Sequence, residues 1–384
     1  MNEYEIRKEA ISRYHNGEKI TSIVRSLHKT RQWFYNWLVR YNERTDDNTW
    51  YLGYSKAPRI RPTKVKDAIE QQVLQARKDL DDQHFAQTGA IAIQYEFNRL
   101  GFEPPPVWTI NRIIARHGLN DQPPVRKQVK DYPELFIHAH QMDLVGPRYI
   151  KGDGRFYSVN IIDNISHSCH AKPIRVKSSE EILHAVVDFW QTQGLADSLQ
   201  MDNELAFRGS NRYPRSFGSL VRFALSQGVA PVFIPIKEPW RNGMIEKFNH
   251  TYDKRFLRCN TFSNFTHLSE ESHRFVIFHN ANHRYSSQDH KTPDEMNAIG
   301  LPPLLYRGNV HLLKKIPLET GCVYFIRFIR SDLLLRLPME SFKVKKELLY
   351  SYVVAEVNID NQCLVIRQNN EIIQQFEYRT PVDW

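Results

Sequence analysis

Apolar positions recur at two different periods along this chain. Between Tyr4 and His15, Ile6, Ala10, Ile11 and Tyr14 follow helical spacing, and Asn16-Gly17 stops the run. Ile20 to Leu27 predicts a short second helix, with Thr21 or Ser22 as its cap. Thr30 then caps RQWFYNWLVRYN, which would bury Trp33, Phe34, Trp37 and Leu38 and display Arg31, Gln32, Tyr35, Asn36 and Arg40. A second helical set is expected over Thr63–Leu80, Thr88–Leu100 and Val107–His117, with Thr109, Asn111, Arg112 and Arg116 facing outward. Gly118 closes it.

From Phe136 the period shortens to that of strands. Phe136–Val145, Phe156–Ile162 and Ser168–Arg175 predict three of them. Ser178–Gln193 predicts a helix, capped by Ser178 or Ser179, with Glu180 and Glu181 in its first turn. Ser198–Asp202 and the run 231–235 read as two further strands, separated by a helix over about 215–227. The turn Glu238-Pro239-Trp240-Arg241-Asn242-Gly243 then leads into a long amphipathic helix with Glu246 near its start. The order three strands, helix, strand, helix, strand, helix predicts a mixed α/β layer. After residue 308 the strand-like runs 310–313, 322–329, 333–337, 352–357, 362–367 and 371–378 suggest a small β-barrel, with Asp360-Asn361 and Asn369-Asn370 as hairpin turns.

In a layer with this order the first and fourth strands can lie side by side at the sheet centre. Asp143 and Asp202 would then project close together, and Glu246 would approach from the following helix. Clustered carboxylates repel one another unless a cation is present, and hard oxygen ligands suit Mg²⁺ or Mn²⁺. Two such ions are the expected complement for phosphoryl transfer.

Composition narrows the partner. The 384 residues hold 52 Lys and Arg against 43 Asp and Glu, a formal charge of +9. Residues 1–66 carry 14 basic and 7 acidic side chains, so most of the surplus sits at the front. That asymmetry favours a polyanion such as DNA. Short helices with tight connections and a polar-basic third helix match a helix-turn-helix, whose recognition helix fits the major groove; a protein-interaction module is the alternative. The basic linker SKAPRIRPTKVK could track a DNA backbone or serve as a spacer. TINRIIARHGL would be a second recognition-type helix or part of a helical spacer. Lys247, His250 and Lys254 share one face of the helix carrying Glu246 and are candidate backbone contacts, as are His279, His283 and Arg284. The tail, with 11 basic and 9 acidic residues from Arg307 on, suits assembly contacts as well as DNA. Four scattered cysteines with no CxxC pair read as reduced and structural. No apolar run is long enough to span a bilayer and the first residues lack a signal core, so a soluble protein of the bacterial cytoplasm, nucleoid-associated, is expected.

Three blocks, HQMDLVGP, QMDNELAF and EPWRNGMIEKFN, together resemble the signatures of the retroviral-type integrase core. That core is shared with DDE transposases of bacterial insertion sequences. The resemblance spans roughly 133–300 and implies a multidomain α/β protein with a ribonuclease-H-like mixed-sheet core, preceded by helix-turn-helix modules and followed by the barrel. The domain limits are 1–45, a basic linker 46–61, a second helical domain 62–120, a linker 121–132, the core 133–300 and the tail 308–384. By resemblance Asp143, Asp202 and Glu246 are the metal-binding catalytic triad, Asn203 shapes the loop after the second acid, and Trp240, Asn242 and Gly243 form the turn presenting the third. Glu204 departs from the pattern, since a small Gly usually stands there. The NRYPRSFGS stretch is an insertion relative to retroviral cores, and their Cys/His zinc module is absent. The implied activity is that of a recombinase that binds element ends as a homo-multimer, cuts one strand and joins the freed 3′-hydroxyl to target DNA. A non-catalytic DNA-binding regulator or domesticated transposase, and a structure-specific nuclease of the same fold, are the alternatives.

Overall fold

Helix caps and apolar faces set the first elements. The computed structural model describes residues 2–43, 49–53, 65–119, 131–308 and 316–381. Most of the SKAPRIRPTKVK linker, nearly all of the 121–132 linker and the run 310–313 lie outside the described residues. The chain forms two units, 1–66 and 67–384.

In the first unit, helix α1 (Glu3–His15) opens with a capping box between Asn2 and Glu5. Helices α2 (Ile20–Ser26) and α3 (Arg31–Glu43) follow. The three pack around Ala10, Ile11, Ile23, Val24, Phe34 and Trp37. Thr30 Oγ1 accepts from the Trp33 amide at 3.1 Å and caps α3 as expected. Helix α2 has Lys19 at its N-cap without a side-chain bond, so neither Thr21 nor Ser22 caps it. On α3, Arg31, Gln32, Tyr35 and Asn36 are exposed, while Arg40 is half-buried with its guanidinium 4.5 Å from the Trp37 ring.

The second unit starts with α4 (Asp67–Asp82), α5 (Ala90–Arg99) and α6 (Val107–Arg116). Their shared core includes Val73, Leu80, Ile93, Phe97, Ile110 and Ile113. Two expected outward residues on α6 are otherwise engaged. Thr109 is buried, and Arg116 pairs with Glu70 at 2.8 Å; Arg112 is exposed. The sheet then begins with β1 (Ala139–Ile150), β2 (Gly154–Asp163) and β3 (Cys169–Ile174), followed by α7 (Ser179–Thr192), whose cap is Ser178. Next come β4 (Ser198–Met201), a single-turn helix α8 (Leu205–Arg208), α9 (Ser219–Ser226) and β5 (Ala230–Phe233). Helix α10 (Gly243–Tyr252) continues through one π turn at Asp253–Leu257. Helices α11 (Phe265–Asn282) and α12 (Pro293–Ile299), which have no counterpart among the expected elements, complete this part. The tail supplies β6 (Cys322–Phe328), β7 (Leu334–Leu337), β8 (Glu340–Lys343), β9 (Tyr352–Asn358), β10 (Cys363–Gln368) and β11 (Glu371–Glu377).

Strand order is β11-β10-β9-β6-β5-β4-β1-β2-β3. The pairs β1–β2 and β2–β3 are antiparallel, whereas β1–β4, β4–β5 and β5–β6 are parallel. The first and fourth strands are therefore neighbours inside the sheet, as the sequence predicts. The tail strands do not close on themselves. Strand β6 bonds β9 on one edge and β5 on the other, so the array β6-β9-β10-β11 extends the core sheet and only β7–β8 stands apart. Apolar residues of α7 and α9, such as Phe189, Trp190 and Phe223, join one large core cluster, and α10 and α11 build a second with Ile245, Phe248, Tyr252 and Phe275. Each of these buried rings contributes roughly 1.5–3 kcal/mol of transfer free energy.

The α4–α6 set docks on this second layer. Phe85 sits edge-on to Phe275 with ring centroids 5.2 Å apart, and Gln87 exchanges hydrogen bonds with the backbone of Arg284. Arg255 reaches Thr88 Oγ1 at 2.7 Å. No helix among the described residues is long and apolar enough to cross a membrane.

Candidate active site

Strands β1 and β4 pair in register from Ala139↔Ser198 to Gln141↔Gln200. Two residues further along the same register, Asp143 stands opposite Asp202, which lies just past the end of β4. Because side chains alternate along a strand, Gln141 and Asp143 share one face, as do Gln200 and Asp202. Helix α10 covers that face. Gln141 Oε1 accepts from the amides of Met244 and Ile245, both at 3.1 Å, in the first turn of α10. Gln200 Nε2 donates to the Arg241 carbonyl at 3.1 Å and to Asn242 Oδ1 at 3.2 Å, and Asn242 Nδ2 donates to the Met142 carbonyl at 3.0 Å. The start of α10 is thereby fastened to both acid-bearing strands, and Glu246 follows within its first turn.

All three acids are half-buried. Burial raises the Asp143 carboxyl, and the charges of Glu246 and Glu204 add to that shift, while hydrogen bonds from the Leu144 amide and Asn249 oppose it. Burial likewise raises Asp202, with Asp143 and Glu204 contributing through charge. Glu246 is raised by burial. Asp143 therefore lies within electrostatic reach of both Glu246 and Asp202, in a site that disfavours the charged forms of all three acids. Their oxygens are not drawn into a compact set: among the described residues the one group of three or more with ligand atoms within 4.8 Å of each other is His138, His140 and Asp163. An all-oxygen donor set suits Mg²⁺ or Mn²⁺. Glu204, the departure from the family pattern, is paired with Lys177 at 2.5 Å, and its amide donates to Asp202 Oδ1 at 2.9 Å.

The histidine cluster fits a hydrogen-bond network rather than a metal. Trp190 Nε1 donates to His140 Nδ1 at 3.0 Å, so the neutral ring carries its proton on Nε2, which faces Asp163 3.2 Å away and has no lone pair to offer. His138 Nε2 is 2.5 Å from the same Asp163 oxygen. Burial pushes the Asp163 carboxyl up, yet the hydrogen bonds from His138, His140 and the Ser166 amide outweigh it and hold the group well below the usual carboxylate range.

Lys247, His250 and Lys254 are exposed along α10 and the turn after it. Three further contacts proposed from sequence, His279, His283 and Arg284, are engaged internally. His279 is buried against His283 with ring centroids 4.2 Å apart, His283 meets Gln87, and Arg284 pairs with Glu295. The sequence reading missed two residues that hold the site. Asn249, three positions after Glu246 on the helix, donates to Asp143 Oδ2 at 2.7 Å, and its i+3 spacing was a usable signal. Arg327, inside the apolar run of β6, donates to Asn203 Oδ1 at 2.6 Å and to the Ile234 carbonyl at 3.0 Å. Asn203 in turn donates to that carbonyl at 2.7 Å, so the loop after the second acid is pinned from the tail.

A family model described as an integrase core domain matches residues 227–293, the stretch that contains Glu246, α10 and α11. No curated protein matches the chain. Among solved structures, the HTLV-2 integrase catalytic core domain in complex with magnesium, in its dimeric form, is 17% identical, covers 42% of this chain and 97% of its own, and overlays with a TM-score of 0.31. The simian T-cell lymphotropic virus intasome in complex with a PP2A regulatory subunit is 13% identical, covers 76% and 93%, and has a TM-score of 0.36. At these scores the overlays carry no argument. Through the segment that bears its third acid, residues 227–293, this chain is similar to the integrase core domain family.

Proposed function

We propose that the chain is a DNA recombinase of transposase or integrase type, with Asp143, Asp202 and Glu246 as its catalytic acids. The observation that supports this reading is the β1–β4 register, Gln141 opposite Gln200, which continued two residues further brings Asp143 level with Asp202 beside the helix that presents Glu246. The three carboxylates would hold Mg²⁺ or Mn²⁺, most simply two ions, which when bound supply Lewis acidity at the attacking and leaving oxygens of a phosphodiester. Gln141, Gln200 and Asn242 keep the third acid over the other two, and Lys177 offsets the extra charge of Glu204. Lys247, His250 and Lys254 would hold the DNA backbone beside the acids. Helix α3, through Arg31, Gln32, Tyr35, Asn36 and Arg40, and helix α6, through Arg112 and Arg116, would read or grip the element ends, with Arg116 first released from Glu70. Two ends held together require a homo-multimer on DNA.

The test is divalent-metal-dependent cleavage of terminal DNA, followed by joining of pre-cut ends with a free 3′-hydroxyl. Cleavage and joining that need all three acids support the recombinase. Cleavage without joining leaves a nuclease of the same fold, and DNA binding with neither reaction leaves a regulator.

A further inference from the structure

Strand β2 carries two polar residues where its neighbours on the same face are apolar. Phe156, Ser158, Asn160 and Ile162 alternate onto the side covered by α10, and Phe156 and Ile162 belong to its core cluster. Ser158 and Asn160 are both 0% exposed. A buried hydroxyl and amide in an apolar layer are costly unless fully bonded, so their partners state their purpose.

Ser158 also meets the buried Tyr252 hydroxyl, and the remaining partners form one string that ends on the first acid. Ser158 Oγ donates to Asn160 Oδ1 at 2.6 Å, Asn160 Nδ2 donates to Asn249 Oδ1 at 2.7 Å, and Asn249 Nδ2 donates to Asp143 Oδ2 at 2.7 Å. The direction is forced. A carboxylate only accepts, so Asn249 must aim its NH₂ at Asp143 and turn its oxygen to Asn160. Asn160 must then answer with its own NH₂, which leaves its oxygen for the Ser158 hydroxyl. The other Asp143 oxygen, Oδ1, accepts from the Leu144 amide at 2.8 Å. Both oxygens of Asp143 are thus oriented, one by its own strand and one from the sheet interior. Asn160 also stands directly across the β1–β2 ladder from Asp143.

We infer that Asn160, set by Ser158, is a positioning residue that locks the Asn249 amide and so holds the Asp143 carboxylate in its metal-binding orientation. This rests on the proposed role of Asp143. Without a donor at position 160, the half-buried Asn249 oxygen loses its partner and the amide is no longer held in line with Asp143. The carboxylate is then oriented on one side only, by the Leu144 amide.

The experiment measures Mn²⁺ binding to the full chain by electron paramagnetic resonance, with melting temperature as a control for folding. Asn160→Leu fills the space but donates nothing, and the Mn²⁺ concentration for half-saturation should rise about ten-fold or more. Ser158→Ala frees Asn160 to turn over and should raise it by a smaller factor, about two- to three-fold. Asn160→Asp supplies a readout that packing alone would not move. Where the introduced acid is protonated it donates as the amide did, and where it is ionised it turns an acceptor on Asn249, so its half-saturation relative to wild type at the same pH should worsen as pH rises. Folded Asn160→Leu and Ser158→Ala that both bind like wild type would overturn the positioning role. If Asn160→Leu does not fold, Ser158→Ala and the pH dependence of Asn160→Asp decide. Equal binding by wild type and Asp143→Asn overturns the metal role of Asp143 and this inference with it, whereas dependence on Asp143 with indifference to Asn160 and Ser158 overturns the inference alone.

Discussion

Asp143 on β1 and Asp202, the residue that follows the parallel neighbour β4, are each two residues beyond the paired Gln141 and Gln200. Gln141 and Gln200 face each other across β1 and β4; Gln141 binds the first turn of the helix that carries Glu246, and Gln200 binds the turn just before it. Position on the sheet and position of the helix are thereby set by the same two strands.

Removing either glutamine should loosen that fastening while leaving all three acids in place. Gln141→Ala and Gln200→Ala are each expected to lower the cleavage rate by about 10²-fold, the penalty typical of an ångström-scale misplacement. Rates measured under saturating metal, alongside unchanged DNA affinity, check this. Wild-type rates in both variants would show that α10 is held elsewhere.

Arg327 is 4% exposed and bonds carbonyl and amide oxygens rather than a carboxylate. Burial lowers its pKa to about 9. Arg327→Leu leaves Asn203 Oδ1 and the Arg336 carbonyl without this donor, so urea unfolding should show a loss of about 3 kcal/mol. Cleavage should fall as well, because the loop after Asp202 loses its anchor.

The His138–Asp163 pair gives a pH signature. The hydrogen bond to Asp163 raises the His138 pKa above its ordinary value of 6.5. A raised pKa means that its stabilisation is fully present below 6.5 and is lost as pH rises through the higher folded value. His138→Ala should therefore destabilise the fold more at about pH 5.5 than at about pH 9. Equal losses at both pH values would show that the charged pair contributes nothing.

Helix α3 exposes Arg31, Gln32, Tyr35 and Asn36, with Gln32 donating to Asn36 at 3.0 Å. If this is the recognition surface, Arg31→Ala should weaken binding to all DNA and reduce the salt slope by about one, whereas Asn36→Ala should cost roughly 1–3 kcal/mol on the preferred site and relax its sequence preference. Binding titrations on specific and scrambled duplexes at several salt concentrations separate the two effects.

What was legible in the sequence was whatever local period and short blocks encode. The strands bearing Asp143 and Asp202, their adjacency, the Ser178 cap and the turn before Glu246 follow from alternation, capping chemistry and turn residues. Long-range partners were not legible. The apolar run of β6 reads as a strand, but nothing in it says that one edge bonds β5, so the tail reads as a separate barrel. Amphipathic spacing marks Arg116 as outward without revealing Glu70, and it exposes Thr109 on paper where the α4–α6 core covers it. His279 and His283 resemble DNA contacts until the docking of Gln87 and the ring of Tyr285 account for them. Asn160 sits unmarked in a β-branched run, and only the fold reveals its path to Asp143.

The most direct measurement compares wild type with Glu246→Gln in Mg²⁺- or Mn²⁺-dependent cleavage and joining of terminal DNA, with DNA binding measured in parallel. The account predicts that the amide variant binds DNA like wild type and loses both reactions by at least ~10³-fold, the scale of removing a group that acts only in the transition state. Cleavage by Glu246→Gln at the wild-type rate, or a wild-type chain that binds DNA yet neither cuts nor joins it with either metal, would contradict it.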